Sequence, residues 1–75
     1  MQKEDMLRMA NQIAAFFNGS GPEVAVRDAA EHINKFWDPR MRAALIAHLE
    51  KGGEGLDPTI VQGASQIRRP AAQAA

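Results

Sequence analysis

Asp38-Pro39 divides this 75-residue chain near its middle. A short carboxylate can cap the free N–H groups of a helix's first turn. Proline suits the first helical position because its missing N–H is not needed there. The same proline steers Asp38 away from the α region, so a helix arriving through Trp37 must stop. Two helices are therefore expected to meet at a sharp corner with almost no loop. The only tryptophan, Trp37, lies on the arriving side, and Arg40 and Arg42 lie on the departing side.

Those two arginines break a local rule. With Asp38 as cap they fall at the second and fourth helical positions, where the partial positive charge of a helix N-terminus favours acids. A broken rule without a visible local gain points to a functional contact. The plainer alternative is that both guanidiniums reach water while their stems cover apolar surface. Trp37, just before the cap, and Arg42, four positions inside, also have the spacing of a staple. From that spacing the guanidinium is expected to stack on the indole, its remaining donors to reach a partner, and Trp37 to fill a partner pocket.

Periodicity places helices on both sides of the corner. Residues 4 to about 18 form the first, with Met6, Met9, Ala10, Ile13, Phe16 and Phe17 at helical spacing. Leu7 and Ala14 widen this apolar sector beyond what one neighbour would cover, which suggests a second contact surface. Asn18-Gly19-Ser20-Gly21-Pro22 ends it, with Gly19 suited to a left-handed closing position. Ser20 with Glu23, or Gly21 with Pro22, can start the second helix, which runs from about Pro22 to Phe36. Val26, Ala29, Ala30, Ile33, Phe36 and Trp37 line its apolar face.

The third helix runs from Pro39 to about Lys51 and stops at Gly52-Gly53. Its apolar face is Met41, Ala44, Leu45, His48 and Leu49, with Ile46 at the margin and Arg42 projecting into it. Asp57-Pro58 repeats the start signal for a fourth helix of about 11 residues, with a Leu56–Val61 staple. Gly52-Gly53-Glu54-Gly55 between them reads as a flexible connector. Residues 1–69 are expected to form one small domain and residues 70–75 a disordered tail. The fold class is all-α, a small bundle of three to four short helices.

A chain this short buries only about 60% of its unfolded surface and is marginal without help. Cysteine is absent, so neither disulfides nor thiolate zinc sites can supply that help, and a partner is the expected compensation. Nine basic and nine acidic residues cancel, where a nucleic-acid binder normally shows a basic excess. No apolar run approaches the roughly 20 residues needed to span a bilayer, and the N-terminus lacks a signal-peptide core. A soluble, cytoplasmic protein is expected.

Little in the chain suggests chemistry. His32 and His48 lie on different helices with no second histidine at metal-ligand spacing, and the glycine-rich segment matches no phosphate loop. No nucleophile, base and orienting group come together. Two readings remain. One is a small protein-binding subunit, supported by the wide apolar sector, four methionines and the Trp–Arg corner. The other is a helix-turn-helix in which Arg40 and Arg42 open a recognition helix. Zero net charge and the lack of phosphate-binding residues along the third helix weigh against the second.

The run from His32 through Phe36-Trp37-Asp38-Pro39-Arg40-Met41-Arg42 resembles the small delta subunit of soluble NAD-dependent formate dehydrogenases. Met9 to Phe17 before it and Gly52 to Pro58 after it fit as well. The resemblance extends from about Arg8 to Ala64, and FWDPRMR is its most specific part. It implies a non-catalytic accessory subunit that holds no metal or cofactor itself. The complex so implied carries a molybdenum (or tungsten) bis-pterin guanine dinucleotide cofactor, iron–sulfur clusters, FMN and an NAD site. The expected partners are its larger subunits, the molybdenum-carrying one first. The expected role is assembly, cofactor loading or stability. Partner contacts are assigned to Phe16 and Phe17 on the first helix, and to Phe36, Trp37, Asp38, Arg40, Met41 and Arg42 at the corner.

Overall fold

Small side chains set the centre of this fold. Ala10 and Ala14 of one helix and Ala25, Ala29 and Ala30 of the next are all buried, and alanine faces let helix axes approach closely. The computed structural model describes residues 2–70. Among them the chain forms α1 (Lys3–Phe17), α2 (Pro22–Phe36), α3 (Pro39–Glu50) and α4 (Pro58–Gln62), with 3-10 turns at Asn18–Ser20 and Ala64–Gln66. No strand occurs among the described residues, in keeping with the expected all-α class. None of the helices is long and apolar enough to cross a membrane.

The helix starts follow local chemistry. Gly21, at φ 96°, caps α2 and hands over to Pro22, which decides between the two starts the sequence allowed. Asp38 accepts from the Met41 N–H at 2.9 Å, and Asp57 from the Thr59 N–H at 2.9 Å. Only Trp37 and Asp38 separate α2 from α3, and both are extended, with ψ of 135° and 168°. Gly19 is not left-handed; the positive φ of that turn falls at Gly21. Asn18–Ser20 instead closes α1 with a tighter turn, and the chain leaves it at the glycine that caps α2.

One apolar cluster joins all four helices, through Met6, Ile33, Trp37, Leu45, Ile46, Ile60 and Ile67 among others. α2 is its hub and packs closely on both α1 and α4, whereas α3 approaches no element as closely backbone to backbone. α3 docks instead through the long side chains of Leu45 and Ile46, both buried. The expected face of α3 is thereby corrected, since Ala44 is exposed and Ile46 is inside. Arg42 and Ile46 share an i, i+4 stripe, and the side of the helix that holds Arg42 inward brings Ile46 with it.

Two further expectations change. The fourth helix is short, because Gly63 interrupts it and a 3-10 turn follows. A Cβ at Gly63 would stand 3.3 Å from the Val26 carbonyl oxygen of α2 and from the Thr59 carbonyl oxygen one turn back, a tight fit that favours glycine. The Gly52–Gly55 segment is tied down rather than loose. Gly53 is buried at φ 68°, the Asn11 amide donates to the Gly55 carbonyl at 2.9 Å, and His48 bonds the Glu54 carbonyl at 2.7 Å. Because a carbonyl can only accept, His48 carries its proton on Nε2. Pro70, expected to begin the tail, is buried. The rest of the expected disordered tail, 71–75, lies outside the described residues.

Candidate partner-binding surface

Two large aromatic rings stand in solvent. Phe16 is 79% exposed and Phe36 is 71% exposed, at the ends of α1 and α2. Between them lie Phe17 and His32, both half-buried. The Phe16 and Phe17 rings meet edge to face at 5.0 Å, Phe17 and His32 at 6.0 Å, and His32 and Phe36 at 4.7 Å with planes tilted by 41°. The result is one continuous aromatic row across two helices. A cleft of about 380 Å³ opens beside it, lined also by Met9, Gln12, Ile13 and an edge of Trp37.

Why these rings stay outside follows from the core. The α1–α2 seam is filled with alanines, and a phenylalanine inserted there would force the axes apart. Burying one phenylalanine side chain is worth roughly 1.5–3 kcal/mol, a gain this chain leaves unused on its own at Phe16 and Phe36. Single exposed apolar residues are ordinary, but contiguous apolar patches mark interaction sites.

Trp37 and Arg42 are placed elsewhere. Trp37 is only 5% exposed and belongs to the core, so it is not free to fill a partner's pocket. Arg42 donates from Nη1 to the Trp37 carbonyl at 3.0 Å and from Nε to the Arg68 carbonyl at 3.1 Å. The reason lies in the helix end. Carbonyls leaving α2 have no intrahelical donor, and the guanidinium supplies one. Two of the five donors of Arg42 therefore serve this chain's own backbone. Its unfavourable place in the first turn of α3 is explained by that bridge.

The remaining candidates line a second groove, of about 580 Å³, between the start of α1 and α3. Arg40 and Asp38 are exposed at its edge and Met41 is half-buried in its wall. Gln2, Lys3, Met6, Ala44, Ala47, His48 and Lys51 complete it. The expected partner residues thus divide into the aromatic row (Phe16, Phe17, Phe36), the groove (Asp38, Arg40, Met41), the buried Trp37 and the half-buried Arg42. Met9, Ile13 and His32 were missed as site residues, although the wide apolar sector of α1 was their signal. Lys3 and Lys51 had none, being far apart in sequence and joined only by the fold.

Polar side chains elsewhere hold the fold. Asn34 clamps the C-terminal segment, donating to the Gln66 carbonyl at 2.9 Å and accepting from the Arg68 N–H at 2.7 Å. Asn11 accepts from the Asp57 N–H at 2.8 Å while it donates to Gly55. Among the described residues, no three His, Asp or Glu side chains are grouped to hold a metal ion.

A sequence model of the family described as NADH-dependent formate dehydrogenase delta subunit FdsD matches residues 5–64. No curated protein matches the chain.

Proposed function

The chain belongs to the NADH-dependent formate dehydrogenase delta-subunit family, and we propose that it is a non-catalytic accessory subunit that docks on the larger subunits through its aromatic row. Membership implies partnership with other formate dehydrogenase subunits. The finer assignment is ours. Its first partner is the subunit carrying the molybdenum (or tungsten) bis-pterin guanine dinucleotide cofactor. Iron–sulfur clusters, FMN and the NAD site belong to the complex and not to this chain. The work done is assembly, cofactor loading or stabilisation of the larger subunits.

The observation that carries this reading is the exposed row Phe16–Phe17–His32–Phe36. Aromatic residues are enriched at interface cores, and a few of them dominate binding energy. The test is co-purification of the larger subunits on tagged chain, comparing the native sequence with Phe16→Ala/Phe36→Ala. The native chain should retain them, and the double variant should lose most of the material while staying helical. Equal retention by both would overturn the aromatic row as the docking face. Molybdenum or tungsten content of the complex, with and without this chain, then separates cofactor loading from simple stabilisation.

A further inference from the structure

The groove between α1 and α3 differs from the aromatic cleft in one respect, its charge. Four cations of this chain are paired with carboxylates: Arg8 with Asp5, Arg27 with Asp28, Lys35 with Glu31, and Arg69 with Glu50. Arg42 is held by carbonyls. Lys3, Arg40, Lys51 and Arg68 have no carboxylate partner among the described residues; Arg68 lies apart, beside α2, and the other three line this one groove. The single acid there, Asp38, already has one oxygen occupied in capping the Met41 N–H. The floor between the cations is apolar, with Met6, Met41 and Ala44.

We propose that this groove is a second docking site, which receives an acidic amphipathic segment of a partner polypeptide, apolar side chains on the floor and carboxylates against Lys3, Arg40 and Lys51. The proposal rests on the accessory-subunit reading above and adds a second contact to it. Charge complementarity selects the occupant. Potentials of opposite sign across an interface steer encounter and fix register, and a flexible methionine floor adapts to the apolar face of a helix or strand. A nucleic-acid backbone fits less well. It would set phosphates over an apolar floor, and the chain as a whole carries no net charge to attract it.

The test is the association kinetics of the full chain with the rest of the formate dehydrogenase assembly, at low and high salt. Charges at a rim act on the encounter rate and its salt dependence, whereas buried aromatic anchors act on dissociation. Arg40→Glu/Lys51→Glu should slow association by roughly tenfold and flatten its salt dependence, with dissociation little changed. The neutralising pair Arg40→Ala/Lys51→Ala should give the same change in smaller degree, and both variants should keep the native far-ultraviolet helix signal. Carbodiimide coupling of the native complex should join Lys3 or Lys51 to an aspartate or glutamate of a larger subunit. Unchanged rates with both variants, while Phe16→Ala/Phe36→Ala still hastens dissociation, would overturn the groove and leave the accessory reading standing. If the native chain fails to associate at all, the accessory reading falls and this proposal with it. Should the charge reversals abolish retention of duplex DNA or RNA and leave assembly intact, the occupant is nucleic acid and the polypeptide proposal is wrong.

Discussion

The Arg42 guanidinium donates to the carbonyl of Trp37 at 3.0 Å. Its Nε donates in turn to the Arg68 carbonyl, so one side chain of α3 holds both the end of α2 and the C-terminal segment. The α2–α3 junction and a segment 26 residues further along the chain thus meet at one cation. A hydrogen bond to a charged group contributes about 1.5–3 kcal/mol where it is shielded from water, and less where it is open.

Arg42→Ala is therefore expected to lower the stability of the isolated chain by about 1–3 kcal/mol, read from urea denaturation. Arg42→Lys should recover only part of it, since an ammonium cannot span both carbonyls as the planar fork does. Neither variant should weaken docking beyond what its stability loss explains. Native stability in Arg42→Ala, with assembly lost, would restore Arg42 to the partner surface.

Trp37 supplies a direct reporter of the same junction. It is the only tryptophan and is 5% exposed, so its fluorescence should emit at short wavelength in the folded chain and shift red as the core opens. Trp37→Ala should cost about 3–5 kcal/mol, enough to unfold a domain of this size. Red-shifted emission from the native chain would place the indole in water and contradict the packing.

Much of this architecture was legible before any coordinates. Helix starts at Pro22, Pro39 and Pro58 are local events, written by a proline and the residue before it. What could not be read is what depends on a neighbour. Gly63 sits inside a plausible helical run, and only the Val26 carbonyl across from it shows why a small residue suits that position. Trp37 at a helix end reads equally as an anchor or as core until the cluster forms around it. Phe16 and Phe36 recur at the same helical spacing as buried residues. Their exposure follows from how closely the alanine faces bring α1 and α2 together, which periodicity does not report. Of the groove, Arg40 and Met41 were found from the corner, but Lys3 and Lys51 join them only through the fold.

Two glycines make a paired prediction. Gly63→Ala should destabilise the chain by about 1–3 kcal/mol, because its Cβ would press on two backbone oxygens that cannot swing away. Gly19 has open space around it and no positive φ. Gly19→Ala should therefore be neutral or stabilise by up to about 1 kcal/mol, through a less flexible unfolded chain. Melting temperatures of the two variants, measured side by side, check the contrast.

Asn11 is expected to control the loop before α4. Its side chain holds the Asp57 N–H at 2.8 Å and the Gly55 carbonyl at 2.9 Å. Asn11→Ala leaves both groups without that partner, at a cost of about 1–3 kcal/mol. Hydrogen exchange locates the effect. The Asp57 amide should lose protection, while amides in the middle of α2 change only as far as global stability does. Unaltered protection at Asp57 would mean that the loop is held by its glycines and not by Asn11.

The last expectation separates folding from docking at Phe16 and Phe36. Both rings are mostly in water, so truncating either should change the stability of the isolated chain by no more than about 0.5 kcal/mol. Each loses its edge-to-face or tilted neighbour, Phe17 for Phe16 and His32 for Phe36, but an exposed pair contributes little. If the row is the centre of an interface, the same truncations should each cost about 2 kcal/mol or more of binding, because an aromatic anchor is worth most where a partner excludes water around it. Phe17 lies in the same row but also packs against the core, so Phe17→Ala should lose both stability and binding. That gradation is what a docking face built on a small fold requires. Measured by chain melting and complex retention on one set of variants, equal losses in both quantities at Phe16 and Phe36 would mean that the row serves the fold and that the partner binds elsewhere.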